Sequence, residues 1–109
     1  MLGSLLEVTV FVRDWQRSRS FYEEVLECRI LRLDTVSREF SLGSEGARIT
    51  FRQAIRDASG PILITFSVPD VAHFCRRVRL AGGRLEEESV ATAALQDPDG
   101  NRICVLAAF

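Results

Sequence analysis

From residue 6 to 13 the chain alternates. Val8, Val10 and Val12 fall on one side, Glu7, Thr9, Phe11 and Arg13 on the other. That period of two predicts a strand with one buried face. Asp14 follows as a helix N-cap. Trp15, Ser18, Phe21, Tyr22, Val25 and Leu26 then recur at helical spacing, which predicts an amphipathic helix of about three turns. Two short strands are expected near 28–34 and 37–42, a turn at "GSEG" (43–46), and an alternating strand at 47–53. "IRDASGP" (55–61) has the composition of a linker.

The same order then recurs. Residues 62–68, "ILITFSV", predict a strand, and Asp70 a second N-cap. Val71, Phe74, Cys75 and Val78 mark a second amphipathic helix that "GG" at 82–83 ends. Strands are expected at 84–89 and 92–96, a turn at "DPDGN" (97–101), and a last strand over "RICVLAA". Asp14 and Asp70 lie 56 residues apart, and at that offset Val8, Val10 and Val12 fall on Ile64, Phe66 and Val68. "GARIT" (46–50) mirrors "GNRIC" (100–104) with a small gap. The chain is thus an internal repeat of two strand–helix–strand–strand–strand modules, about 5–54 and 61–109. Either half alone is too small to bury a comfortable core. The expected fold is α+β: two βαβββ modules forming an open, cupped eight-stranded sheet, helices outside and a cleft within, as one domain.

Bulk properties narrow the function classes without choosing one. The 109 residues carry a net charge of −1, and all 14 basic residues are arginines. No overall field draws in nucleic acid or an anionic membrane. No apolar run approaches the ~20 residues of a membrane span, and the first residues lack the basic and small-residue features of a signal peptide. The three cysteines, Cys28, Cys75 and Cys104, show no CxxC spacing. Free thiols in a reducing cytoplasm are expected rather than disulfides or structural zinc.

"VTVFVRDWQRSRSFYEEVLE", the repeat, and "DPDGNRICVL" together resemble the vicinal oxygen chelate superfamily, which includes glyoxalase I, extradiol dioxygenases and bleomycin-resistance proteins. The resemblance covers nearly the whole chain. It implies the fold, but not one chemistry, because the fold hosts several. In metal-dependent relatives four cleft positions hold a divalent ion: one at the start of each module's first strand and one in each module's last strand. Those positions carry over to Glu7, Thr50, Leu63 and Cys104. Leucine has no donor atom, and a neutral threonine hydroxyl is a poor ligand. His73, the only histidine, falls on the second helix. No metal and no other cofactor is expected. Relatives also place glycine after the first helix, where Glu27 stands here. Either that exit differs or Glu27 carries a left-handed backbone at roughly 1 kcal/mol.

The resemblance therefore points to the metal-free branch: a cytoplasmic homodimer that binds and sequesters a small molecule, an antibiotic or xenobiotic, in clefts completed across two chains. Glu7, Thr9, Phe11, Thr50, Leu63, Thr65, Cys104 and Leu106 would line a mostly apolar pocket. Arg48 and Arg52 share the parity of Thr50 and would face the same cleft, where they could hold an anionic group or simply meet solvent. Trp15, Phe21 and Tyr22 are read as core. No catalytic residue is assigned. The alternative is a glyoxalase-like lyase, isomerase or dioxygenase that uses Glu7 as a base, or a weak metal at Glu7 and Cys104. A third class, a partner-binding module with no ligand, also fits these residues.

Overall fold

The structure is a computed structural model and describes residues 6–44, 46–55 and 62–107. In chain order the elements are β1 (Glu7–Val12), α1 (Trp15–Ser20) continuing into a π-helical turn (Phe21–Val25), β2 (Arg32–Asp34), β3 (Glu39–Ser44), β4 (Ala47–Gln53), β5 (Leu63–Val68), α2 (Val71–Leu80), β6 (Leu85–Glu88), β7 (Thr92–Gln96) and β8 (Arg102–Ala107). The fold is α+β, with two βαβββ modules, as the repeat predicts. The eight strands divide into two open four-stranded sheets, ordered β1-β4-β3-β2 and β5-β8-β7-β6. Most of the predicted linker, 56–61, lies outside the described residues.

Each sheet is built alike. The first strand pairs parallel with the last, Glu7 opposite Arg48 and Leu63 opposite Arg102, and the rest pair antiparallel. Alternation then sends one set of side chains to each face. Val10, Val12, Phe40, Leu42 and Phe51 of the first sheet join Ile64, Leu95 and Ile103 of the second in one core, with Trp15, Tyr22 and Val78 from the helices. The helices cover these faces, and the opposite face of each sheet is left open. In the β3–β4 hairpin a Cβ on Gly43, at φ +100°, would stand 2.5 Å from the Ala47 carbonyl oxygen, so only glycine fits.

Both helices start as predicted. Asp14 accepts from the Arg17 N–H and Asp70 from the His73 N–H. Their exits differ by one residue. At α2, Gly82 takes φ +84° and Gly83 N–H donates to the Val78 carbonyl, a Schellman exit. At the first helix the Leu26 N–H reaches back to Phe21 and the Cys28 N–H to Tyr22, and Glu27 holds the left-handed position at φ +55°. Glu27 follows its N-cap by 13 residues and Gly82 follows its own by 12. The π-helical turn absorbs the extra residue. Glu27 is thus the strained alternative, and its carboxylate forms an exposed ion pair with Arg77 of α2. In an Arg77→Ala background, where that pair is already gone, Glu27→Gly is expected to raise the thermal midpoint by a few degrees. A midpoint that stays level or falls would show that the left-handed exit carries no strain.

Candidate functional site

The open face of the first sheet carries three rows of side chains, fixed by strand register. Glu7, Arg48 and Gly43 form the first, Thr9, Thr50, Ser41 and Arg32 the second, Phe11, Arg52, Glu39 and Asp34 the third. Over this face lies a cavity of about 550 Å³, lined among others by Glu7, Arg32, Asp34, Glu39, Arg48 and Arg52. Its volume falls within the roughly 300–1,000 Å³ of small-molecule sites. Its walls are charged, against the apolar lining expected from sequence. Half of that charge comes from Arg32, Asp34 and Glu39 on β2 and β3, and the rest from Glu7, Arg48 and Arg52 on β1 and β4.

Ion pairs organise the outer rows. Arg48 Nε donates to Glu7 Oε2, and Thr9 Oγ1 donates to Glu7 Oε1 at 3.1 Å. Arg52 Nη2 donates to both oxygens of Glu39, at 3.3 and 3.2 Å. Asp34 accepts the Val36 and Ser37 N–H groups and the Ser37 hydroxyl, which shapes the β2–β3 turn. In the middle row the buried hydroxyls of Ser41 and Thr50 meet at 2.8 Å. Hydrogen bonds from Arg48 and then Thr9 hold the Glu7 carboxyl below the usual carboxylate range. A carboxylate so held is a weaker general base.

The structure brings Glu7, Arg48, Thr50 and Arg52 to one cavity. Thr9 and Phe11 share that sheet face, and Phe11 is half exposed. Leu63, Thr65, Cys104 and Leu106 occupy the matching face of the second sheet, where Thr65 stands opposite Cys104 and Ser67 opposite Leu106. Leu63 and Leu106 are exposed there, at 61% and 48%. Cys104 neighbours Arg102, which also pairs with Glu87 at 3.0 Å. The two halves of the expected pocket therefore lie on separate sheets. Arg32, Asp34, Glu39 and Ser41 went unnoticed in the sequence. The alternation of "EFSLGS", with Phe40 and Leu42 inward, was the signal that places Glu39 and Ser41 beside Thr50.

The four carried-over positions do not suit a divalent ion. Glu7 is committed to Arg48 and Thr9, the Thr50 hydroxyl is tied to Ser41, and Leu63 offers no lone pair. Cys104 sits on the other sheet, and His73 is exposed on α2. Among the described residues no three His, Cys, Asp or Glu side chains cluster as ligands. Such a donor set is too poor in nitrogen, thiolate and free carboxylate for zinc, nickel, manganese or iron.

The α+β architecture of paired βαβββ modules is that of a known superfamily. The chain belongs to the glyoxalase/bleomycin resistance protein/dioxygenase superfamily, whose family model matches residues 4–105. No curated protein sequence matches significantly. Among solved structures it is similar to TnmS3, an antibiotic binding protein from Streptomyces sp. CB03234, at 17% identity and a TM-score of 0.77, covering 99% of this chain and 98% of that one. It is also similar to lactoylglutathione lyase from Agrobacterium tumefaciens (14% identity, TM-score 0.76, 98% and 95% covered) and to the oxidase ChaP-H2 (18%, 0.74, 100% and 96%). A binder, a lyase and an oxidase on one backbone show that the fold does not select the chemistry.

Proposed function

We propose that this protein binds and sequesters a small molecule, an antibiotic or xenobiotic, without a metal ion, and does so in the cytoplasm as a homodimer. The observation that carries this reading is the state of Glu7. The residue best placed to ligate an ion or abstract a proton is neutralised by Arg48 and held by Thr9, and its pKa is lowered rather than raised. Among the described residues nothing on the cavity wall replaces it, since Glu39 is paired to Arg52 and Asp34 is spent on its turn. What remains is a recess of ligand size with directional polar groups. What supports the dimer is the open face of the second sheet, which exposes Leu63 and Leu106. Laid over the first sheet of a partner chain, that face would roof the cavity and bring Thr65 and Cys104 to the ligand. Its leucines would supply the apolar area that the charged floor lacks.

The test is thermal unfolding against planar aromatic antibiotics and glutathione conjugates, together with metal analysis of untagged protein. A ligand at about 100 times its Kd should add ~2.7 kcal/mol of stability and be recovered chemically unchanged. Stoichiometric zinc, nickel, manganese or iron, or conversion of a bound compound, would overturn the proposal. So would the lack of any stabilisation across the collection.

A further inference from the structure

The hydrogen-bonding capacity of the cavity is unevenly spent. Each of its three carboxylates already holds partners: Glu7 has Arg48 and Thr9, Glu39 has Arg52, Asp34 has two backbone N–H groups and a hydroxyl. Two of its three arginines are taken up in those pairs. The third, Arg32, lines the cavity and has no ion pair among the described residues. Register places it at the end of the middle row, opposite Ser41, which is opposite Thr50, which is opposite Thr9.

That row has a second donor to spare. Ser41 and Thr50 share a single hydrogen bond, in which one hydroxyl gives its hydrogen and the other receives it. The receiving hydroxyl keeps its own hydrogen, and both residues are almost fully buried, at 4% and 1% exposed. A hydroxyl hydrogen in such a place needs an acceptor. A guanidinium with five N–H donors and a neighbouring O–H, between two closed ion pairs, form a receptor short of acceptors. The fixed fork of arginine matches the two oxygens of a carboxylate.

We propose that the ligand of this cavity carries an anionic, oxygen-rich group, a carboxylate or enolate, and that Arg32 receives it with the Ser41–Thr50 hydroxyl pair. The proposal rests on the reading of this cavity as the binding site. The flanking Glu7–Arg48 and Glu39–Arg52 pairs then have a role in specificity. Each is closed on itself, so neither Arg48 nor Arg52 competes with Arg32 for the ligand's charge, and the anion is received at the Arg32 end of the middle row. The rest of the molecule is free to lie across Thr9 and Phe11.

The experiment compares two probes of the same shape, 2-naphthoate and its neutral amide 2-naphthamide, by amide chemical-shift titration of the full chain. Naphthoate is expected to shift the signals of residues 32, 41 and 50 and to bind about tenfold more tightly than the amide. Arg32→Gln should remove that preference, Arg32→Lys should restore part of it, and Arg76→Gln, on the exposed side of α2, should leave it intact. An equal affinity for both probes at these signals, or a preference that survives Arg32→Gln, would refute the role of Arg32 and leave the site reading standing. Shifts that avoid the first sheet altogether would refute the assignment of the cavity as well. Arg32 is exposed, so a matching thermal midpoint for each variant separates lost binding from lost folding.

Discussion

Asp97→Ala is expected to destabilise the protein by about 3–5 kcal/mol, read as a lowered midpoint in urea unfolding. The carboxylate of Asp97 is buried and accepts four hydrogen bonds: the Tyr22 hydroxyl at 2.7 Å, the Asn101 N–H at 2.8 Å, the Asn101 side-chain amide at 2.7 Å and the Asp99 N–H at 2.9 Å. Removing it strands several donors that water cannot reach, and each stranded group costs about 1–3 kcal/mol. Tyr22→Phe, which loses one of the four, should cost only about 1–2 kcal/mol. Burial, and then the Asp97 charge, push the Tyr22 phenol far above its ordinary pKa, so it stays a donor throughout the accessible pH range. The turn is also a clamp between the two halves of the chain. Beside the Tyr22 bond, Asp99 accepts the Arg13 N–H at 2.8 Å and the Ser18 hydroxyl at 2.9 Å. An unfolding cost for Asp97→Ala no larger than that for Tyr22→Phe would contradict this account.

The second large effect belongs to the floor beneath the cavity. Phe51→Ala is expected to cost about 3–5 kcal/mol. Its ring is fully buried, stacked on Phe40 with centroids 5.0 Å apart and tilted against Tyr22 at 4.5 Å. The flanking residues Thr50 and Arg52 point the other way, into the cavity. Arg52→Ala should therefore cost far less, because its half-buried ion pair with Glu39 is still partly screened by solvent. Equilibrium unfolding of the two variants reads out the faces of β4 directly. Similar losses for both would mean that the alternation assigned to this strand is wrong.

Much of this architecture is legible along the chain. Alternation marked β1, β4, β5 and β8 because each has one face on the core and one face away from it. Asp14 and Asp70 announced their helices because a free carboxylate beside orphan N–H groups has few better uses. The short strands were harder. A strand was expected near 28–34, but only Arg32–Asp34 forms one; all three residues are exposed, so its bounds come from its pairing with Ser41, Phe40 and Glu39 rather than from a buried face. The π-helical turn left no periodic signature, since one extra residue in a helix shifts the register without changing the composition. Its trace in the sequence was Glu27, where a glycine was expected and a left-handed backbone is found.

The candidate site divides in the same way. Local sequence determined that Glu7 and Thr9 would share one face of their strand, and Thr50 and Arg52 one face of theirs, because side-chain direction within one strand depends only on its period of two. It also showed that the four carried-over positions offer one carboxylate, one hydroxyl, one thiol and a leucine, because residue type alone decides which atoms carry lone pairs. Which strands lie side by side is a long-range matter, set by hydrogen bonds between segments tens of residues apart, and only the tertiary structure decided it. Register across β1, β4, β3 and β2 brought Arg48 onto Glu7 and Arg52 onto Glu39, and left Arg32 at the end of a row of hydroxyls with no ion pair among the described residues. Charge pairing is a property of neighbours in space, so a single line of residues could show the ions but not which of them remains open.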